Sequence, residues 1–430
     1  MKKPKDLNLD TLSLHAGSKP DKEFGSRATP IYQTSSFVFP DSETAAGIFN
    51  NEMAGHVYSR ITNPTNAVLE ERISSLEGGI GAISTASGQA ALFLAITTIL
   101  GKNSHIVASK SLYGGSHNLL EYTLPRFGIK TSFVDFRKYR QVRDAIQNNT
   151  GLLFGETLGN PGLDVMNIET ISDIAHKKNL PLLVDSTFTT PYLMKPFDLG
   201  ADLVFHSATK FLSGHGVVIG GLLVDSGKFN WKSNKKFKTL NEPYEGFHNM
   251  QFVEEFGPAA FINRARKEGA RDFGACMSPN TAFLVLQGLE TLSLRMEKHI
   301  SNTRNIVDFL STHPEVKSVS YPELPSHPDY DLAKKILSKG SGAVFTFEIK
   351  GGYESGKKFI ESLNIFSHLA NVGDAKSLVI HPASTTHHRM DKVALKKAGI
   401  TENTVRLSVG IEDIEDLKED IEEALKQANK

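Results

Sequence analysis

The chain has 430 residues, about three times the commonest domain length, so one small domain is excluded and two or three are expected. Lys+Arg and Asp+Glu both total 48, a formal net charge of +0, which leaves no cation surplus for phosphate neutralisation and argues against nucleic-acid binding. A hydrophobic share of 40% suits a globular chain with a large core, and the lone Cys276 rules out an intrachain disulfide or a cysteine-built metal site, as in a reducing, cytoplasmic compartment.

Met1 to Leu14 is basic at Lys2, Lys3 and Lys5, but Asp6 and Asp10 follow without an apolar run, so no secretory signal is expected. Residues 1–65 read as an N-terminal arm, with weak periodicity and Ser-, Thr- and Pro-rich text from Ala28 to Ser36. Over residues 66–277 short apolar strands alternate with helices. Strand patterns fall at Ala82–Ser84, His105–Ala108, Lys130–Asp135, Leu152–Glu156, Leu182–Asp185, Leu203–His206 and Val217–Val224. Helical patterns fall at Leu69–Glu77, Ala90–Leu100, Ser116–Phe127, Tyr139–Asn148 and Ile168–Lys178. This alternation predicts an α/β fold with a mostly parallel sheet and helices on both faces.

Gly78 to Gly101 is uncharged and long enough to span a bilayer, but Gly79, Gly81, Ser84, Ser87, Gly88 and Gln89 interrupt it. It reads as strand, glycine turn and buried helix, and no membrane association is expected. Residues 226–266, with the only Trp at 231, break the rhythm and read as an inserted loop region. Residues 278–430 read as a smaller α+β domain. A long helix over Pro279–His313 carries the stripe Leu284, Leu286, Leu289, Leu292, Met296 and Ile300, and a last helix over Glu412–Gln427 places Ile414, Leu417, Ile421 and Leu425 on one face.

Ser207-Ala208-Thr209-Lys210 follows a strand directly, so its side chains emerge at the carboxyl end of the sheet, where open α/β folds bind ligands. Two hydroxyls beside a lysine can bind a phosphate while the amine condenses with an aldehyde; an ordinary surface turn is the competing reading. Asp185 ends another strand of the same sheet. A carboxylate there is costly without a partner, and a protonated pyridine nitrogen is one, although an Asp capping its own turn through Ser186 and Thr187 is common. Together the two strand ends describe the poles of a pyridoxal phosphate ring.

Ser87-Gly88-Gln89 opens a helix, whose N–H groups and dipole favour a phosphate, or Ser87 is a simple N-cap. Tyr113-Gly114-Gly115 offers a ring to stack on a flat cofactor, or plain packing. Gly214-His215-Gly216 with Gly220 has the wrong spacing for a dinucleotide loop and precedes a strand. His387 and His388 are adjacent, point in different directions and have no HExxH partner, so no metal site is expected. The acidic run Asp413, Glu415, Asp416, Glu419 and Asp420 reads as the solvated face of the last helix.

The motifs Tyr58-Ser59-Arg60, Asn63-Pro64-Thr65, Ser87-Gly88-Gln89-Ala90, Tyr113-Gly114-Gly115, Glu156-Thr157-Leu158-Gly159-Asn160-Pro161, Asp185-Ser186-Thr187-Phe188 and Ser207-Ala208-Thr209-Lys210 run in one order along the chain. His381 to His387 and Val405 to Glu412 continue them. In this the chain resembles the Cys/Met-metabolism family of pyridoxal-phosphate enzymes, from about residue 10 to the C-terminus. The resemblance implies a fold-type I transferase architecture with pyridoxal 5'-phosphate as cofactor. It implies that Lys210 holds the cofactor covalently and shuttles protons, that Asp185 holds the pyridinium nitrogen, and that Tyr113 stacks on the ring and assists proton transfer. Gly88, Gln89, Ser207 and Thr209 would bind the phosphate, and Arg406 would clamp the substrate carboxylate with Asn160 nearby. Tyr58 and Arg60 would reach the phosphate of a neighbouring subunit, so a homotetramer built from active dimers is expected.

Three features are similar to members that convert O-acetylhomoserine and sulfide to homocysteine and acetate in methionine biosynthesis, a γ-replacement. The excess length falls at residues 226–266. Asn371, within Ala370-Asn371-Val372-Gly373-Asp374, stands where the cystathionine enzymes carry a carboxylate-binding serine, and Ser-Thr-Thr precedes His387. Cystathionine γ-synthase or γ-lyase activity is the alternative. A non-catalytic oligomeric scaffold is a third reading, opposed by Lys210, Asp185, Tyr113 and Arg406 occurring together. Ser186 departs from the family's usual Asn, which bears on what supports Asp185.

Overall fold

The computed structural model describes residues 7–50, 52–160, 162–385 and 400–428. Pro161, Thr386, His387 and His388 lie outside the described residues.

Seven strands form the larger sheet: β1 (Gly81–Thr85), β2 (Ser104–Ser109), β3 (Ile129–Val134), β4 (Thr150–Glu156), β5 (Leu182–Asp185), β6 (Leu203–Ser207) and β7 (Gly221–Asp225). Their order is β1-β7-β6-β5-β4-β2-β3, and β7 alone runs against its neighbours. Successive strand residues face opposite sides, and both sides are apolar here. Leu152, Phe154, Leu183, Leu203 and Phe205 pack into one core cluster, while Leu153, Leu182, Val184 and Val204 pack into another. A sheet covered on both faces explains the near-continuous apolar strands.

Local chemistry sets the helix ends. Asn63 accepts from Thr65 N–H at 3.0 Å to start Pro64–Glu77, which stops at Gly78 with φ +79°. Ser87 accepts from Ala90 N–H at 3.1 Å to start Gly88–Ile99. The smaller sheet contains β8 (Val316–Ser320), β9 (Val344–Ile349), β10 (Ser367–His368), β11 (Leu378–Ile380) and β12 (Thr404–Ser408), ordered β10-β11-β12-β9-β8. Its apolar face joins the same cluster as Leu153 and Val204. Among the described residues no helix is long and apolar enough to cross a membrane.

Four expectations need correction. Asp420 of the acidic run is not solvated but buried, accepting from the N–H groups of Asn364 and Ile365. Residues 226–266 are not a loose loop but a run of short helices, including Lys238–Asn241, Phe252–Phe256 and Ala260–Arg264. Trp231 is buried there, stacked on Phe261 at 5.3 Å between centroids and edge-on to Phe237. Elements this short leave no periodic trace in sequence. The strand expected over Val217–Val224 begins only at Gly221, and Val217 and Ile219 are exposed. The long helix is two, Pro279–Glu290 and Leu292–Thr312; its buried stripe runs on across the break, which no Gly or Pro marks, and Leu284 is exposed.

Candidate active site

The carboxyl ends of β4, β5 and β6, with the turn after β1, open into a cavity of about 280 Å³. It brings together Gly88, Gln89, Tyr113, Asn160, Asp185, Ser207, Thr209, Lys210, Asn371 and Arg406, although they are spread over more than three hundred residues of sequence. Tyr58 and Arg60 are not among its lining residues. Both are exposed, with the Arg60 guanidinium 5.5 Å from the Tyr58 ring centroid and donating to the Arg271 carbonyl.

At one end sits the start of the helix Gly88–Ile99. A Cβ on Gly88 would lie 2.8 Å from Ser207 Cβ, so only glycine lets this helix end close on the end of β6. The first N–H groups of a helix have no partner within it and carry the positive end of its dipole. The hydroxyls of Ser207 and Thr209 stand beside them, Thr209 Oγ1 accepting from Gly220 N–H at 3.0 Å. That set of N–H and hydroxyl groups suits a phosphate.

At the other end, Asp185 Oδ1 accepts from both the N–H, at 2.9 Å, and the hydroxyl of Thr187. Thr187 Oγ1 in turn accepts from Ser207 N–H at 2.9 Å, tying the ends of β5 and β6 together. Ser186 plays no part in this support; its hydroxyl pairs with Thr189 Oγ1 at 2.9 Å. The turn cap is present, and the residue that makes it also lines the cavity.

Burial pushes the Asp185 carboxyl up, while Thr187, His206 and Lys210 pull it back. Burial, then the nearby Arg406, brings the Lys210 amine down to about 8, against the pull of Asp185. An amine near 8 is partly uncharged at neutral pH, as condensation with an aldehyde requires. Lys210 Nζ donates to Asn371 Oδ1, and Arg406 Nη1 donates to Asn160 Oδ1 at 3.1 Å. Burial lowers Arg406 to about 10, so it remains a cation. A phosphate cradle, a reactive amine and a strand-end carboxylate in one cavity fit pyridoxal phosphate.

Sequence reasoning passed over several contributors. Thr187 supports Asp185, whereas in sequence it reads only as a turn residue. Ile219, Leu158 and Phe188 give the cavity its apolar wall. His206 is buried 2.6 Å from Glu77 and bears on Asp185. Glu156 lines the cavity and accepts from Tyr113 N–H at 2.5 Å. A carboxylate ending an apolar strand was the signal that singled out Asp185, and Glu156 carries the same one.

Known proteins resemble this chain along nearly its whole length. An O-acetyl-L-homoserine sulfhydrylase from Leptospira meyeri is 48% identical over 432 residues, covering 98% of each chain. A homocysteine synthase from Schizosaccharomyces pombe is 47% identical, covering 98% of this chain and 99% of its own. A solved structure from Campylobacter jejuni, described as a putative O-acetylhomoserine (thiol)-lyase with N'-pyridoxyl-lysine-5'-monophosphate at one position, superposes with a TM-score of 0.94 at 38% identity, covering 98% of this chain and 100% of its own. Residues 10–426 match the family model described as Cys/Met metabolism PLP-dependent enzyme. With the cavity, its lysine and this full-length match, the chain belongs to the Cys/Met metabolism PLP-dependent enzyme family.

Proposed function

We propose that the protein converts O-acetylhomoserine and sulfide to homocysteine and acetate, in methionine biosynthesis, using pyridoxal 5'-phosphate. The observation that carries this reading is the charge of the cavity: Lys210 and Arg406 are the only cations lining it among the described residues. With Lys210 committed to the cofactor, one guanidinium remains, enough for the α-carboxylate of a substrate whose γ-substituent is an uncharged ester. Cystathionine carries a second amino-acid head, for which this wall (Ile219, Leu158, Phe188, Val372) offers no counter-charge. The sulfhydrylase and homocysteine synthase named above support the same choice.

Bound pyridoxal phosphate supplies an electron sink for the charge released at the substrate's Cα and Cβ, so that acetate can leave Cγ and sulfide can add. The chain's residues do the rest. Gly88, Gln89, Ser207 and Thr209 hold the phosphate, and Asp185, whose charged form Thr187 favours against burial, pairs with the ring nitrogen. Lys210, freed when substrate binds, carries protons between neighbouring carbons, with Asn371 orienting its amine. Arg406, aligned by Asn160, fixes the carboxylate with a planar fork that lysine lacks. Tyr113 covers the ring and assists proton transfer. Residues 66–277 form the cofactor-binding domain and 278–430 the smaller one. The arm, 1–65, brings Tyr58 and Arg60 to the phosphate of a second copy in a cytoplasmic homotetramer.

The test is to give the holoenzyme O-acetylhomoserine with either sulfide or cysteine and identify the product by mass spectrometry. Homocysteine is expected from sulfide; cystathionine as the exclusive product would overturn the reading.

A further inference from the structure

Glu156 faces the cavity yet has no part in the roles above. It is the last residue of β4, and its register partner on β5 is Asp185, so the two carboxylates leave neighbouring strand ends on the same side. Its side chain is buried, at 7% exposure, and its hydrogen bond goes to the backbone of Tyr113, whose N–H donates to Oε1 at 2.5 Å. Tyr113 then starts the helical run from Gly114, and its ring folds back over Gly115, where an added Cβ would lie 2.5 Å from ring Cε1. The ring's place therefore follows from the backbone at 113–115, and that backbone is moored to the end of β4.

We propose that Glu156 is a positioning residue: by pinning the Tyr113 backbone to β4, it sets where the Tyr113 ring lies over the cofactor cavity. The inference rests on the reading of that cavity given above. Two buried carboxyls side by side do not both ionise cheaply. Asp185 receives two hydrogen bonds from Thr187 and the pull of His206 and Lys210. Among the described residues Glu156 has the Tyr113 N–H alone, against burial and the Asp185 charge. Burial and the Asp185 charge push the Glu156 carboxyl well up, and in its neutral form the carbonyl oxygen still accepts from Tyr113. A neutral acceptor of the same length does this job equally well, and a shorter side chain does not reach. Glu156 also walls off the larger cleft on its other side, so truncation removes a partition as well as an acceptor.

The experiment compares Glu156→Gln, Glu156→Ala and Glu156→Asp as holoenzymes. It follows kcat and KM for O-acetylhomoserine, the visible absorption of bound cofactor, and the dissociation constant for pyridoxal phosphate titrated into apoprotein. Glu156→Gln is expected to stay within about threefold of wild type with an unchanged spectrum, while Glu156→Ala and Glu156→Asp lose about 30-fold in kcat, the scale of a small misplacement of a positioned group. In these two the absorption maximum shifts, and KM moves much less than kcat. Circular dichroism checks folding, and if Glu156→Ala is misfolded the Asp and Gln pair carries the test. Glu156→Gln as impaired as the shorter variants, or Glu156→Asp indistinguishable from wild type, would overturn the proposal. A wild type that stays colourless with added cofactor would instead remove the cavity reading on which it stands.

Discussion

Two clefts meet at Glu156 and treat charge in opposite ways. The larger, about 560 Å³, is lined by Asp135, Arg137, Asp164 and Asp329 among others. Arg137 reaches Asp164 at 3.0 Å, Asp135 at 3.3 Å and Asp329 at 4.0 Å, and Lys110 reaches Asp135 at 3.1 Å. Burial opposes ionisation there, but the partners outweigh it: Asp135 ends below its ordinary value and Arg137 above. In the smaller cavity burial wins. Lys210 falls to about 8, Arg406 to about 10, and Asp185 rises. Charges held together without adequate partners are poised for a ligand, whereas charges that satisfy one another are structure. Volume points to the wrong cleft; uncompensated charge points to the chemistry.

The contrast breaks most visibly at Lys210. Lys210→Ala should abolish the visible absorption of bound cofactor and lower turnover by about 10³- to 10⁴-fold, the scale of a lost acid–base group. A variant that kept its colour would mean that the cavity's amine is not the attachment point. A smaller effect is expected from Arg406→Lys, which keeps the charge but loses the fork aligned by Asn160. KM for O-acetylhomoserine should rise about tenfold or more, in line with one lost charge-assisted hydrogen bond. An unchanged KM would place the carboxylate elsewhere.

Much of this was legible because it lies at strand ends. The apolar runs ending in Asp185 and Ser207 announce where a parallel sheet presents side chains, and Ser87-Gly88 announces a helix start. What stayed hidden is contact between distant segments. Nothing near Asn371 in sequence says that it meets Lys210, 161 residues away, and only the family resemblance places Asn160 near Arg406, 246 residues away. The aromatic layer around Trp231 was illegible for a different reason, because helices of one turn have no period to read. Glu156 was visible but unused. It ends an apolar strand just as Asp185 does, and the cost of burying a carboxylate applies to it as well.

The smallest expected effect belongs to the larger cleft and tests whether it is structure alone. Arg137→Met removes the shared partner of Asp135, Asp164 and Asp329. Because Arg137 is itself 38% exposed, solvent screens these pairs and the loss should be only about 1 kcal/mol. Turnover should stay within about twofold of wild type, since no group of the cavity has lost its partner. The pH dependence follows from Asp135, which Lys110 and Arg137 hold below its ordinary value. Between the folded and unfolded values the native chain binds fewer protons, so this contribution is fully present above about pH 4 and fades as pH falls through the folded value. Denaturant titrations of wild type and variant should therefore differ at pH 7 and converge on acidification. A difference that survives to low pH would mean that Arg137 acts through packing of its stem. A fall in turnover comparable with that of Arg406→Lys would end the comparison, because the larger cleft would then belong to the active site.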